Sequence, residues 1–195
     1  MKKSAYRSAM AAFSLGLMLF FGSSSAFALN LVTNGSFDTG DFTGWVKNGS
    51  YMYVNGANSF SAPFAATLGT PGALGSLTQS IATQPGFVYE LSFALATSGG
   101  APSEFYALVN GTSLFSLTNE GNHPYEGVSL FFTAGASPTQ IAFLARNDVG
   151  SFFLDNVSVD LAPVPEPSTL LLLGIGLLGA GFLRKRTQRK AAALT

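Results

Sequence analysis

The chain has 195 residues, ten of them basic and ten acidic, with one histidine and no cysteine. The missing cysteines exclude disulfides, thiolate nucleophiles and cysteine-ligated zinc, so a domain of this sequence must rest on its core rather than on covalent staples. The zero net charge hides an asymmetry: between residues 29 and 163 only Lys47 and Arg146 stand against nine acidic residues, a charge of −7, which disfavours nucleic acid as a partner.

Lys2, Lys3 and Arg7 precede an apolar run over residues 9–21, small residues and the triplet Ala26-Phe27-Ala28. This order predicts a secretory signal helix over residues 1–28, with cleavage before Leu29. The next stretch, Asn34-Gly35-Ser36-Phe37-Asp38 with Gly44-Trp45 after it, is rich in turn residues and carries the only tryptophan. Residues 50–55 read as a strand in which Tyr51 and Tyr53 share a parity and flank Met52, giving a small exposed aromatic face.

Residues 74–82 read as another strand, and residues 87–95 give the clearest one. There Phe87, Tyr89, Leu91, Phe93 and Leu95 fall on one face, while Val88, Glu90, Ser92 and Ala94 fall on the other. Segments 105–109 and 113–117 flank Asn110-Gly111-Thr112, the composition of a tight hairpin. Residues 119–124 read as a surface loop holding His123. Three more strands follow over 127–133, 139–145 and 151–161, separated by Gly135, Ser137, Pro138 and Gly150. Eight short strands without a helical stripe predict an all-β domain over residues 29–163, a two-sheet antiparallel jelly-roll sandwich.

Beyond the domain come Pro165-Glu166-Pro167, an uncharged stretch over residues 168–183 and the basic cluster Arg184, Lys185, Arg186, Arg189 and Lys190. Sixteen residues at about 1.5 Å each span roughly 24 Å, a short transmembrane helix. The basic residues after it hold that end in the cytoplasm. The order of tripeptide, apolar helix and basic tail over residues 164–190 resembles the PEP-CTERM sorting signal. The resemblance implies an exosortase as partner, a membrane-anchored precursor cut near Pro165-Glu166-Pro167, and delivery to the cell surface or the extracellular polysaccharide matrix.

The opening motif at residues 31–38 with Gly44-Trp45, and the closing motif Phe153-Leu154-Asp155-Asn156-Val157-Ser158-Val159, together resemble the galactose-binding-like jelly rolls of the carbohydrate-binding-module type. Asn156 stands where that pattern has a second Asp, and Asp38 where it has Glu. The resemblance implies a structural calcium tying the first segment to the last strand, and nominates Asp38 and Asp155 as its ligands. Parity points Asp155 inward, because in a regular strand it shares its face with Phe153, Val157, Val159 and Leu161, and a buried carboxylate needs a partner. The competing readings are that Asp155 pairs with Arg146 or sits at a bulge facing water.

Trp45, Tyr51 and Tyr53 are the leading candidates for stacking on sugar rings, and Tyr89, Tyr106 and Tyr125 could also do so; the core edge is the competing place for Trp45. No catalytic constellation assembles around His123, and Glu90, Glu104, Glu120 and Glu126 are the carboxylates open to glycoside chemistry. The sequence thus points to a non-enzymatic, glycan-interacting or structural surface protein, with a small polysaccharide hydrolase or lyase as the alternative.

Overall fold

The computed structural model describes residues 29–61, 63–163 and 174–178. The predicted signal helix, the Pro165-Glu166-Pro167 motif and all of the predicted transmembrane helix except residues 174–178 lie outside them. Residues 174–178 are helical, and no helix among the described residues is long and apolar enough to cross a membrane.

Ten strands form the domain: β1 (Val46–Asn48), β2 (Met52–Asn55), β3 (Ala65–Leu68), β4 (Gly75–Ile81), β5 (Val88–Thr97), β6 (Ser103–Val109), β7 (Thr112–Thr118), β8 (His123–Thr133), β9 (Thr139–Asn147) and β10 (Phe152–Leu161). They build two five-stranded sheets, ordered β1-β4-β9-β6-β7 and β2-β3-β10-β5-β8, in which every strand pairing is antiparallel. The expected all-β sandwich is therefore present, with two strands more than the eight read from sequence. β1 has only three residues, all exposed, and β3 has four, all buried, so neither shows the alternation that betrays a strand.

The alternation of residues 87–95 holds: Tyr89, Leu91, Phe93 and Leu95 are core residues, while Phe87 lies before β5 and is exposed. Asn110 and Gly111 both have positive φ, +48° and +80°, and close the β6–β7 hairpin between paired Val109 and Thr112. That is the backbone a two-residue type I′ turn requires. β8 begins at His123, four residues ahead of the expected start, and runs through Pro124. β8 is an edge strand, where a missing N–H costs no ladder bond.

Phenylalanines knit the sheets together. Phe93, Phe105 and Phe143 pack ring against ring at 5.2–6.2 Å, and Phe152 lies 5.3 Å from Phe105. At the far side of this cluster Trp45 packs between Phe37 and Phe143.

The opening and closing motifs meet. β3 pairs only with Phe152–Leu154 of β10, and residues 30–35 take its place beside the second half of β10. There Leu31 N–H donates to Val159 O, Val157 N–H to Gly35 O, and Val159 N–H to the Asn30 side chain. Gly35 passes so near the Val157 carbonyl that a Cβ on it would sit 1.9 Å from the oxygen. Asn34, at φ +53°, donates from its amide to the carbonyls of Asp41 and Thr43, and its own carbonyl accepts the Trp45 indole N–H at 3.1 Å. The opening motif is thus a structural clasp, and the indole is part of its core side.

Candidate functional site

Three surfaces of the sandwich carry side chains capable of recognition. On the outer face of the first sheet, Glu104 and Tyr106 project from β6, and Arg146 stands across from Glu104 on β9. The Tyr106 hydroxyl donates to Glu104 at 2.9 Å. Arg146 makes a bidentate pair with Asp148, both bonds at 2.9 Å, and reaches Glu104 at 4.0 Å. Asp148 also accepts the Gly72 N–H at 2.8 Å.

This polar row sets its own proton affinities. The guanidinium hydrogen bonds and the Gly72 amide hold the Asp148 carboxyl at about 2, and Asp148 in turn raises the Arg146 value. The carboxylate beside it pushes the Tyr106 phenol up. Leu144 and Ser116 flank Tyr106 in register on the neighbouring strands. The result is a half-exposed aromatic ring between fixed donors and acceptors, the composition by which proteins hold sugar hydroxyls and the apolar faces of pyranose rings. Sequence reading names Tyr106 among the aromatics able to stack on a sugar but gives it no preference, because the register that sets Arg146 opposite Glu104 joins residues some forty positions apart.

The second surface is the one expected from residues 50–55. Tyr51 and Tyr53 are 45% and 40% exposed and meet edge to face at 5.4 Å, with Met52 buried between them in the chain. Their hydrogen-bonded neighbourhood raises the Tyr53 phenol above its ordinary value. Trp45 does not join them. It is 7% exposed, part of the core, so this glycan candidate is corrected to a packing residue.

Asp155 also differs from its expectation. A bulge between Asp155 and Ser158, with Asn156 at φ +49°, lets Leu154 and Val157 both face the core. Asp155 therefore shares the outer side of the second sheet with Phe153 and is buried, at 0% exposure, beneath the loop before β3. One carboxylate oxygen accepts the N–H groups of Phe60 and Ser61 at 3.0 and 2.9 Å and the Ser61 hydroxyl at 3.4 Å; the other accepts the Asn156 N–H at 2.7 Å. Burial raises the carboxyl above its ordinary value, opposed by the N–H donors of Ser61, Asn156 and Phe60. Over it, Phe60 packs on Tyr125 at 5.3 Å and the Tyr125 hydroxyl donates to Asn58 O at 2.6 Å.

Those donors occupy both carboxylate oxygens that a cation would need. Asp38 is exposed and accepts the Ser36 hydroxyl at 2.7 Å, and among the described residues no three His, Cys, Asp or Glu cluster as metal ligands. The residues present do not fit a calcium ion shared by Asp38 and Asp155. Arg146, the competing partner, is committed to Asp148 and Glu104.

Of the carboxylates considered for catalysis, Glu90 accepts the Ser129 hydroxyl and Glu104 belongs to the Tyr106 row. Glu120, Glu126 and His123 instead line one cavity of about 540 Å³ beside β7 and β8, the third surface.

A protein-family model of the PEP-CTERM protein-sorting motif matches residues 163–186. No curated protein matches the chain in sequence. Among solved structures the chain is similar to TmCBM61, determined in complex with β-1,4-galactotriose, at 19% identity and a TM-score of 0.54 over 69% of this chain and 99% of that one. It is also similar to the CBM22-1 xylan-binding domain of Xyn10C from Paenibacillus barcinonensis, at 15% identity and a TM-score of 0.51 over 71% and 97%. A further likeness, at 18% identity and a TM-score of 0.53, is to the enzymatically active domain of bacteriophage CBA120 tailspike protein 4; it covers 68% of this chain but only 21% of that one. At these identities the likeness is one of fold. The chain carries a PEP-CTERM protein-sorting motif, which implies export with a C-terminal anchoring signal, behind a β-sandwich of the kind found in carbohydrate-binding modules.

Proposed function

We propose that this is an exported surface or extracellular-matrix protein whose sandwich contacts polysaccharide without cleaving it, after an exosortase has processed the C-terminal signal. The observation that carries the glycan reading is the Tyr106 row, with an aromatic ring set among a carboxylate, a guanidinium and hydroxyls on an outer sheet face. The likeness to modules determined with galactotriose or named for xylan supports the same class of ligand. Glu104 and Glu90 are each tied to neighbouring side chains, which favours binding over acid–base catalysis on the sheet faces.

Affinity electrophoresis of the purified full chain through gels containing xylan or β-1,4-galactan tests the binding half. Retardation that Tyr106→Ala removes, at an unchanged melting temperature, is the expected result. Loss of retardation in the Tyr51→Ala, Tyr53→Ala pair alone moves the site to the second sheet, and no retardation by any polysaccharide refutes the reading. The sorting half is read from cell fractions: replacing Pro165, Glu166 and Pro167 with alanine leaves uncut precursor in the membrane. Processing that proceeds unchanged would rule that half out.

A further inference from the structure

β7 and β8 are the last strands of their sheets on the same side of the sandwich, and residues 119–122 join them. Among the described residues no further strand lies beyond them in either sheet. Phe115 and Leu117 from β7 and Val128 and Leu130 from β8 consequently pack against the core only in part, and with Leu95 behind them they floor the 540 Å³ cavity. Its size lies within the range of small-molecule and oligosaccharide sites.

The rim is acidic. Glu126 pairs in register with Leu95 on the inward side of β8, and Glu120 and His123 complete the mouth. His123 commits one ring nitrogen, Nδ1–H donating to its neighbour's carbonyl Pro124 O at 2.8 Å. Among the described residues no hydrogen bond or ion pair engages the side chain of Glu120 or Glu126. The two cations of the sandwich are elsewhere, Lys47 on Met52 O and Arg146 on Asp148 and Glu104.

An apolar floor under two unpaired carboxylates complements a ligand that is apolar on one face and positively charged at its edge. We propose that this cleft binds an amine-bearing glycan, with pyranose faces on Phe115 and Leu117 and ammonium groups against Glu120 and Glu126. The proposal rests on the polysaccharide-binding reading and adds to it a second site of its own ligand class. A cationic peptide offers the same charge but docks on sandwich edges by adding a strand. Here Pro124 removes an N–H from the β8 edge, and bulges break the registers of β8 on β5 and of β7 on β6.

Calorimetric titration of the full chain, below neutral pH, with glucosamine oligomers, their N-acetylated counterparts and an oligolysine of equal charge tests it. Expected is saturable binding of the glucosamine oligomer, weakened by salt and reduced about tenfold or more in Glu120→Gln, Glu126→Gln, with little binding of the N-acetylated form. Both residues are at the surface, and an unchanged melting temperature of the variant confirms folding. If the N-acetylated oligomer binds equally well and the double variant is unaffected, the cleft assignment falls while the polysaccharide reading stands. Oligolysine binding as tight as the glucosamine oligomer overturns the glycan identity of the ligand. If none of these oligosaccharides and no neutral polysaccharide binds, both readings fall.

Discussion

At the scale of single residues, the chain's two most recognisable motifs turn out to be mutual supports. Asn34 and Gly35 shape the turn that brings the first segment onto β10, and Gly35 has no room for a side chain against Val157 O. Gly35→Ala is expected to destabilise the domain by roughly 3 kcal/mol, because the clash is with backbone that cannot step aside. Urea denaturation measures it; a loss below about 1 kcal/mol would show that the clasp is loose. Asp148 has a different signature. Its folded value of about 2 lies below the ordinary 3.8, so its contribution is complete above about pH 4 and disappears as the pH falls from there towards 2. Melting temperatures of the native chain should therefore fall more steeply than those of Asp148→Asn across that window, and parallel curves would contradict the pairing with Arg146. Spacing of two residues makes the Arg146–Asp148 and Tyr106–Glu104 bonds, but what joins them into one row is β pairing, which sequence reading does not give. Glu104 and Arg146 become neighbours only through the register of β6 on β9.

At the scale of elements, alternation was legible where strands are long and half-buried, as in β5, and the Asn110-Gly111 turn identified its hairpin. It failed where strands are too short to alternate, as in β1 and β3, and where a bulge resets the parity, as in β10. Asp155 shows the consequence. Parity points it inward, but the bulge leaves it on the outer side, where its burial and its partners come from Phe60 and Ser61 of a loop with no periodic signal. Asp155→Ala strands those N–H groups under the loop and is expected to cost on the order of 2 to 3 kcal/mol. Asp155→Asn, which keeps one acceptor oxygen, should cost less. Equal losses in the two variants would show that the carboxylate's bonds to the loop contribute little.

At the scale of the whole molecule, protein groups join the two ends of the sandwich: N–H donors satisfy Asp155, and the first segment is held to β10 by backbone bonds. Calcium or a chelator should therefore leave the melting temperature unchanged. A rise of several degrees with calcium would show that the implied ion is bound after all. The chain's charge follows the same division of labour, with basic residues at the two termini and an acidic sandwich between them. That acidity leaves neutral or amine-bearing glycans as the polysaccharides it can approach without repulsion. The sorting signal was fully legible because it is a linear motif, whereas the binding faces were legible only as composition. One titration decides whether the sandwich binds sugar at all: the full chain against soluble xylan and galactan at moderate salt. Saturable binding that Tyr106→Ala weakens about tenfold is the expected result; a folded chain that gives no saturable signal with either polysaccharide would contradict it.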